Sequence, residues 1–185
     1  MSHLKKYSLY DMLGDLGIYF NWSINALVPI KLNAADNYFK IHKDTVIRVS
    51  QMLLQQIMFM PTEIYRGILL KKAVTTLEPH PEMEHLSFTE DINVAKYFAS
   101  IDGFGSDKVN LNLLLGEFGH LIKYTPFTTE VLFHHKFLDI LPYTEALAKV
   151  NFIPHGHVEW LKEQKEITIL QPVRPFYNIQ LYTHE

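Results

Sequence analysis

Three short stretches of this chain carry residue types at spacings that can do chemistry. In Ile64-Tyr-Arg-Gly-Ile-Leu-Leu70 an arginine and a glycine interrupt an apolar, β-prone segment. A guanidinium placed there is costly unless it meets an anion. Its rigid fork suits phosphate oxygens, and the glycine after it lets a ligand approach the backbone. In Leu86-Ser-Phe-Thr-Glu-Asp91 the hydroxyls of Ser87 and Thr89 alternate with Leu86 and Phe88, so both leave one face of a strand. A helix N-terminus, which favours anions, follows at once. In Glu163-Gln-Lys-Glu-Ile-Thr-Ile-Leu170, Gln164 and Glu166 are two apart and are expected to share a face at a strand entrance. A carboxylate beside an amide can hold a sugar hydroxyl and an acceptor group. Each stretch also has a plain structural use: an arginine pairing with a surface carboxylate, a hydroxyl capping a helix, a charged turn before a buried strand.

The elements that must position these residues fall into two textures. Over the first sixty residues the pattern is helical. Val46, Val49, Leu53, Ile57 and Met60 recur at steps of three and four, which predicts a helix from about Asp44 that Pro61 stops. Asp11 to Leu27 has weaker helical periodicity, with a break expected at Asn21 to Ser23. From Thr62 onward the segments shorten and become β-branched and aromatic. Strands are expected at 64–70, 86–88, 119–124, 131–133, 167–170 and 177–182. Asp91 caps a helix whose Val94, Ala95, Phe98 and Ala99 share a face. A glycine-bearing loop spans Ile101 to Gly116, with a turn near Leu111 to Leu115. Helices followed by mainly antiparallel strands define an α+β class. The expected organisation is one domain over 1–185, with a helical part at 1–60 and a β-rich part at 61–185.

Composition narrows the function. The chain is 185 residues long and 48% hydrophobic, enough for a core. It has no cysteine, which removes disulfides and thiolate zinc sites. The formal charge of −3 and a pI near 6.4 argue against a strongly basic nucleic-acid binder, though not against a local groove. Ten histidines are scattered; His155-Gly-His157 and His134-His135 are the close pairs, and no metal site is expected from them. Met1-Ser-His-Leu-Lys-Lys does not open a secretory signal, and the apolar run at 52–60 is too short to span a bilayer. The expectation is a cytoplasmic protein with no membrane partner.

Taken in order, the three stretches resemble the mono-ADP-ribosyltransferases with an Arg–Ser–Glu signature, in a Gln-x-Glu variant. Tyr65-Arg66-Gly67 is similar to that family's first strand. Ser87-Phe-Thr89 with Val94-Ala-Lys-Tyr-Phe-Ala99 is similar to its Ser-Thr-Ser strand and following helix. Gln164-Lys-Glu166 with Ile-Thr-Ile-Leu-Gln-Pro172 is similar to its third motif, and Ile24-Asn-Ala-Leu27 to an element of its helical part. Two departures stand out. Phe88 and Thr89 replace the second and third residues of Ser-Thr-Ser, and 101–116 is longer than in compact members and lacks an arginine.

The resemblance implies N-terminal helices on two small, mainly antiparallel sheets that form a central NAD cleft. It implies that Arg66 clamps NAD phosphates, with Gly67, Ser87, Thr89 and Phe104 also on the cofactor side. Glu166 would hold a ribose hydroxyl and stabilise the developing cation, with Ser87 supporting it. Gln164 and Trp160 would meet the acceptor. NAD serves as co-substrate and no metal is needed. The implied activity is cleavage of the nicotinamide–ribose bond and transfer of ADP-ribose to a macromolecule, as in an intracellular effector or toxin held by an inhibitor or antitoxin. Gln164 disfavours an arginine acceptor and leaves a protein side chain and a nucleic-acid base open; the acidic pI favours protein. The competing readings are a catalytically idle binding module of the same fold and an unrelated α+β interaction module.

Overall fold

The computed structural model describes residues 5–27, 31–79, 83–100, 118–148 and 157–182. Two helices open the chain, α1 (Gly14–Ala26) and α2 (Leu32–Gln56). Strands β1 (Ile64–Leu70) and β2 (His85–Thr89) follow, then helix α3 (Ile92–Phe98), β3 (Phe118–Tyr124) and β4 (Val131–His134). Two short helices, α4 (Tyr143–Ala148) and α5 (His157–Glu163), precede β5 (Glu166–Leu170) and β6 (Gln180–Tyr182). The α+β class read from the sequence is the observed one.

The helical part departs from expectation in instructive ways. Helix α1 runs without a break through Asn21–Ser23 because Tyr19, Phe20, Trp22 and Ser23 are all buried there. The Ser23 hydroxyl donates to the Phe20 carbonyl at 2.8 Å and meets Tyr143 Oη at 2.8 Å, so it is satisfied inside the core, whereas the buried Trp22 Nε1 has no hydrogen-bond partner. Helix α2 begins twelve residues ahead of Asp44 and bends at His42, whose φ of −112° is non-helical. It also ends before Pro61 rather than at it. Met58 takes the left-handed conformation at φ 51°, its N–H bonds to the Gln55 carbonyl, and the Phe59 N–H bonds to the Leu54 carbonyl. That pair of bonds closes a helix from within, with methionine standing where glycine is usual.

The six strands form one antiparallel sheet in the order β4-β5-β2-β1-β3-β6, not the two sheets expected. The reason lies in one weak junction. Strand β1 pairs with β3 over its whole length, and β2 with β5 over its whole length. Between β1 and β2, however, only Tyr65 and Thr89 are in register. The sheet is thus two three-stranded ribbons that share a single rung.

One core underlies this arrangement. Tyr19, Trp22, Phe39, Phe133, Phe137 and Tyr143 are fully buried together with Ile64, Ile122 and Ile167. Burying a side chain of that size contributes about 1.5–3 kcal/mol each. A smaller cluster, Ala95, Ala99 and Leu121, seats α3 on β1 and β3. Glycine makes that contact possible: a Cβ on Gly67 would lie 1.8 Å from the Ala95 carbonyl oxygen, and one on Gly119 would lie 1.9 Å from that of Ala99. Helix α3 leaves β2 in one ribbon and lies on the other, so it straps the two together. No helix among the described residues is long and apolar enough to cross a membrane.

Candidate active site at the ribbon junction

The single rung places three sequence-distant residues side by side. Thr89 pairs with Tyr65 on one side and with Glu166 on the other, so Glu166 enters the sheet at the junction itself. Two register positions further along, Ser87 pairs with Thr168. Residues in register across antiparallel strands share a face. Ser87, Thr89, Glu166 and Thr168 therefore line one face, while Phe88, Ile167 and Ile169 point into the core on the other.

Arg66 stands where β1 and β2 part. Its Nη1 donates to the Ser87 carbonyl oxygen at 2.7 Å, across 21 residues of sequence. An acceptor that would otherwise wait for a ladder partner is satisfied by the guanidinium instead. The Ser87 hydroxyl donates to Glu166 Oε1, 79 residues away. Thr168 Oγ1 donates to the same carboxylate oxygen at 3.2 Å. Ser87 is thus the centre of the group, its carbonyl bound to the cation and its hydroxyl to the acid.

The electrostatics follow from crowding. Glu166 and Arg66 keep some accessible surface, and Ser87 is exposed, so the group opens to solvent while protein atoms press around the charges. Burial pushes the Glu166 carboxyl up to about 7, against the opposing pull of the Ser87 and Thr168 hydroxyls and of Arg66. Burial also lowers the Arg66 guanidinium from its usual value, countered by Glu166. Arginine remains charged throughout the physiological range. The arrangement is a carboxyl poised to ionise near neutrality beside a fixed cation.

The remaining expected residues fall differently. Thr89 is buried, and its hydrogen-bonding capacity goes to the backbone: Oγ1 donates to the Gln164 carbonyl at 2.7 Å and accepts from the Asp91 N–H at 3.0 Å. The room that Gly67 leaves is taken by α3, not left open to a ligand. Gln164 does not share a strand face with Glu166. Helix α5 ends with Gln164 N–H on the Trp160 carbonyl, Lys165 turns at φ 47°, and β5 starts only at Glu166. That left-handed residue breaks the alternation the sequence suggested. Gln164 Oε1 is buried and lacks a hydrogen-bond partner. Trp160 lies on helix α5, 44% exposed and one turn before Gln164. Positions four apart on a helix lie on the same side. Phe104, the loop at 101–116 and His155 lie outside the described residues.

Two contributors were missed. Thr168 could have been read from alternation, two places after Glu166 on the same strand. Glu90, His134 and His135 bring three metal-ligating atoms within 4.8 Å of one another beside the same turn. His134 Nε2 lies 2.8 Å from Glu90 Oε1, and His135 Nε2 lies 3.3 Å from Glu90 Oε2. No spacing in the sequence announces a group split by 44 residues. Nothing among family models, curated proteins or solved structures matches the chain.

Proposed function

We propose that the chain is an NAD-dependent mono-ADP-ribosyltransferase acting on a macromolecule, with a protein side chain as the acceptor. One observation carries the reading. Arg66, Ser87 and Glu166, the three residues whose order resembles the Arg–Ser–Glu signature, meet through Ser87 at the junction of the two ribbons. Coincidental motifs have no reason to converge.

In this reading each residue has a physical task. Arg66, already charged and positioned, turns its remaining N–H groups to the pyrophosphate oxygens, where its fork gives both charge and direction. Ionised Glu166 faces the nicotinamide ribose and stabilises the positive charge that builds at the anomeric carbon as the bond to nicotinamide breaks. Nicotinamide takes the bonding electron pair and leaves neutral, so no acid need protonate it. Ser87 and Thr168 hold Glu166 Oε1 and leave Oε2 to the ribose. The acceptor nitrogen then forms the new bond to the anomeric carbon and releases its proton to the solvent to which the site opens. Gln164 is the residue the resemblance assigns to an N–H of that acceptor; its Oε1 is unpaired but closed to solvent.

A nucleic-acid base is the second reading, favoured by the half-exposed indole of Trp160 beside Gln164. Such a ring can stack on a base. The test is incubation with labelled NAD in separate arms of protein, DNA and RNA, following free nicotinamide and transferred label. Transfer to protein that Glu166→Ala abolishes is the expected result. Label on DNA or RNA selects the base reading. NAD binding without nicotinamide release in any arm identifies an idle relative.

A further inference from the structure

The Glu90–His134–His135 group could be taken for a metal site, but hydrogen bonding around His134 speaks for another use. His134 Nδ1 accepts the Lys136 backbone N–H at 3.1 Å, so this nitrogen must carry its lone pair. The proton of the neutral ring is then on Nε2, where it donates to Glu90 Oε1. A metal would need the lone pair on Nε2 and a donor at Nδ1, the reverse of what is present. His134 is buried between Phe59 and Phe137, which disfavours a charged ring. The group is a neutral histidine gripping a carboxylate.

What it grips is attached to the site. The Glu90 backbone N–H donates to the Lys165 carbonyl at 3.2 Å, and Thr89 Oγ1 donates to the Gln164 carbonyl. Thr89 at the end of β2 and Glu90 just after it therefore hold both carbonyls of the α5–β5 turn. The Glu90 side chain in turn is tied to the end of β4, where His134 pairs with Ile167 next to Glu166. Glu166 itself is fixed by the strand ladder, but Gln164 precedes the strand and has no ladder to hold it. We propose that Glu90 and His134 are positioning residues for Gln164, a clasp that sets the acceptor side of the site independently of NAD cleavage. This rests on the transferase reading.

The experiment compares the full chain with Glu90→Ala, His134→Ala and Glu90→Gln, measuring nicotinamide release in water and label transfer to protein. Glu90→Ala and His134→Ala should reduce transfer about tenfold relative to nicotinamide release. Glu90→Gln, whose amide oxygen still accepts from Nε2–H, should keep the wild-type ratio. Equal loss of both activities, or no rescue by glutamine, overturns the proposal. Amide hydrogen exchange gives a readout without NAD. In Glu90→Ala the residue-90 amide should exchange about tenfold faster while the Ile167 and Ile169 amides keep their protection. No change at residue 90, or equal loss at all three, rejects the clasp. Zinc titration that shows binding lost in His134→Ala would assign the group to an ion instead. Absence of nicotinamide release from the wild type would sink the transferase reading alone, leaving exchange to decide whether the clasp exists.

Discussion

Glu166 carries the sharpest chemical consequence. Its carboxyl titrates near 7 in the folded protein, above the ordinary value of 4.5. If the ionised form is the reactive one, kcat/KM for NAD cleavage climbs as pH passes through about 7 and levels off above. A flat profile between about pH 5.5 and 8.5 would remove Glu166 from that role. Stability runs the other way. The folded protein binds this proton more tightly than the unfolded chain, so the contribution is full below about pH 4.5 and fades as pH rises through about 7. Glu166→Gln, which cannot ionise, should therefore melt above the wild type near pH 8 and lose that advantage near pH 5. The same variant should lower kcat by about 10²–10³ while leaving NAD binding largely intact. Lost binding with unchanged kcat in the residual activity would contradict a role in stabilising the reacting ribose.

At the scale of elements, α3 is the part most exposed to a single substitution. Gly67→Ala drives a methyl group into the Ala95 carbonyl, 1.8 Å away, and backbone cannot step aside as a side chain tip can. We expect a loss of about 2–3 kcal/mol and a fall in Tm of roughly 5–10 °C. A wild-type Tm would mean that α3 does not seat there. Thr89→Val is the complementary case. It keeps the shape but strands the Asp91 N–H and the Gln164 carbonyl, and should cost about 1–3 kcal/mol in chemical denaturation.

These elements also mark how far the sequence could be read. Strand cores at Ile64–Leu70 and Ile167–Leu170 were legible because β-branched and aromatic residues alternate there with turn residues at the ends. The Asp91 cap was legible from the residue type, and its side chain accepts the Asn93 N–H at 2.9 Å. The partners of Gly67 were not legible, since a glycine says that something comes close without saying what. Lys165 hid the Gln164 turn, because lysine gives no hint of a left-handed backbone. The pairing of Glu90 with His134 depends on which strands become neighbours, and that is decided by the whole sheet.

For the molecule as a whole, the shared rung at Tyr65 and Thr89 joins two ribbons into one sheet where the resemblance implied two. It also makes ligand binding and global stability one measurement. A co-substrate that touches Arg66 on one ribbon and Glu166 on the other adds contacts across the junction. On the transferase reading, NAD at about 100 times its Kd should stabilise the fold by about 2.7 kcal/mol. Arg66→Ala should abolish that gain, and a shift of equal size in the variant would place the binding site elsewhere.

The same narrow junction governs how the molecule comes apart. A ladder conveys cooperativity rung by rung, and here almost none crosses between β1 and β2. The ties that remain are α3 and the common core, to which Ile64 and Ile122 come from one ribbon and Phe88, Ile167 and Ile169 from the other, so the ribbons β4-β5-β2 and β1-β3-β6 should differ in local opening below global unfolding. Native-state hydrogen exchange should then sort the strand amides into two isotherms that merge only near global unfolding. Loosening α3 through Gly67→Ala should pull those isotherms further apart. A single isotherm for all six strands would show that the common core and the strap, and not the ladder, make the sheet one cooperative body.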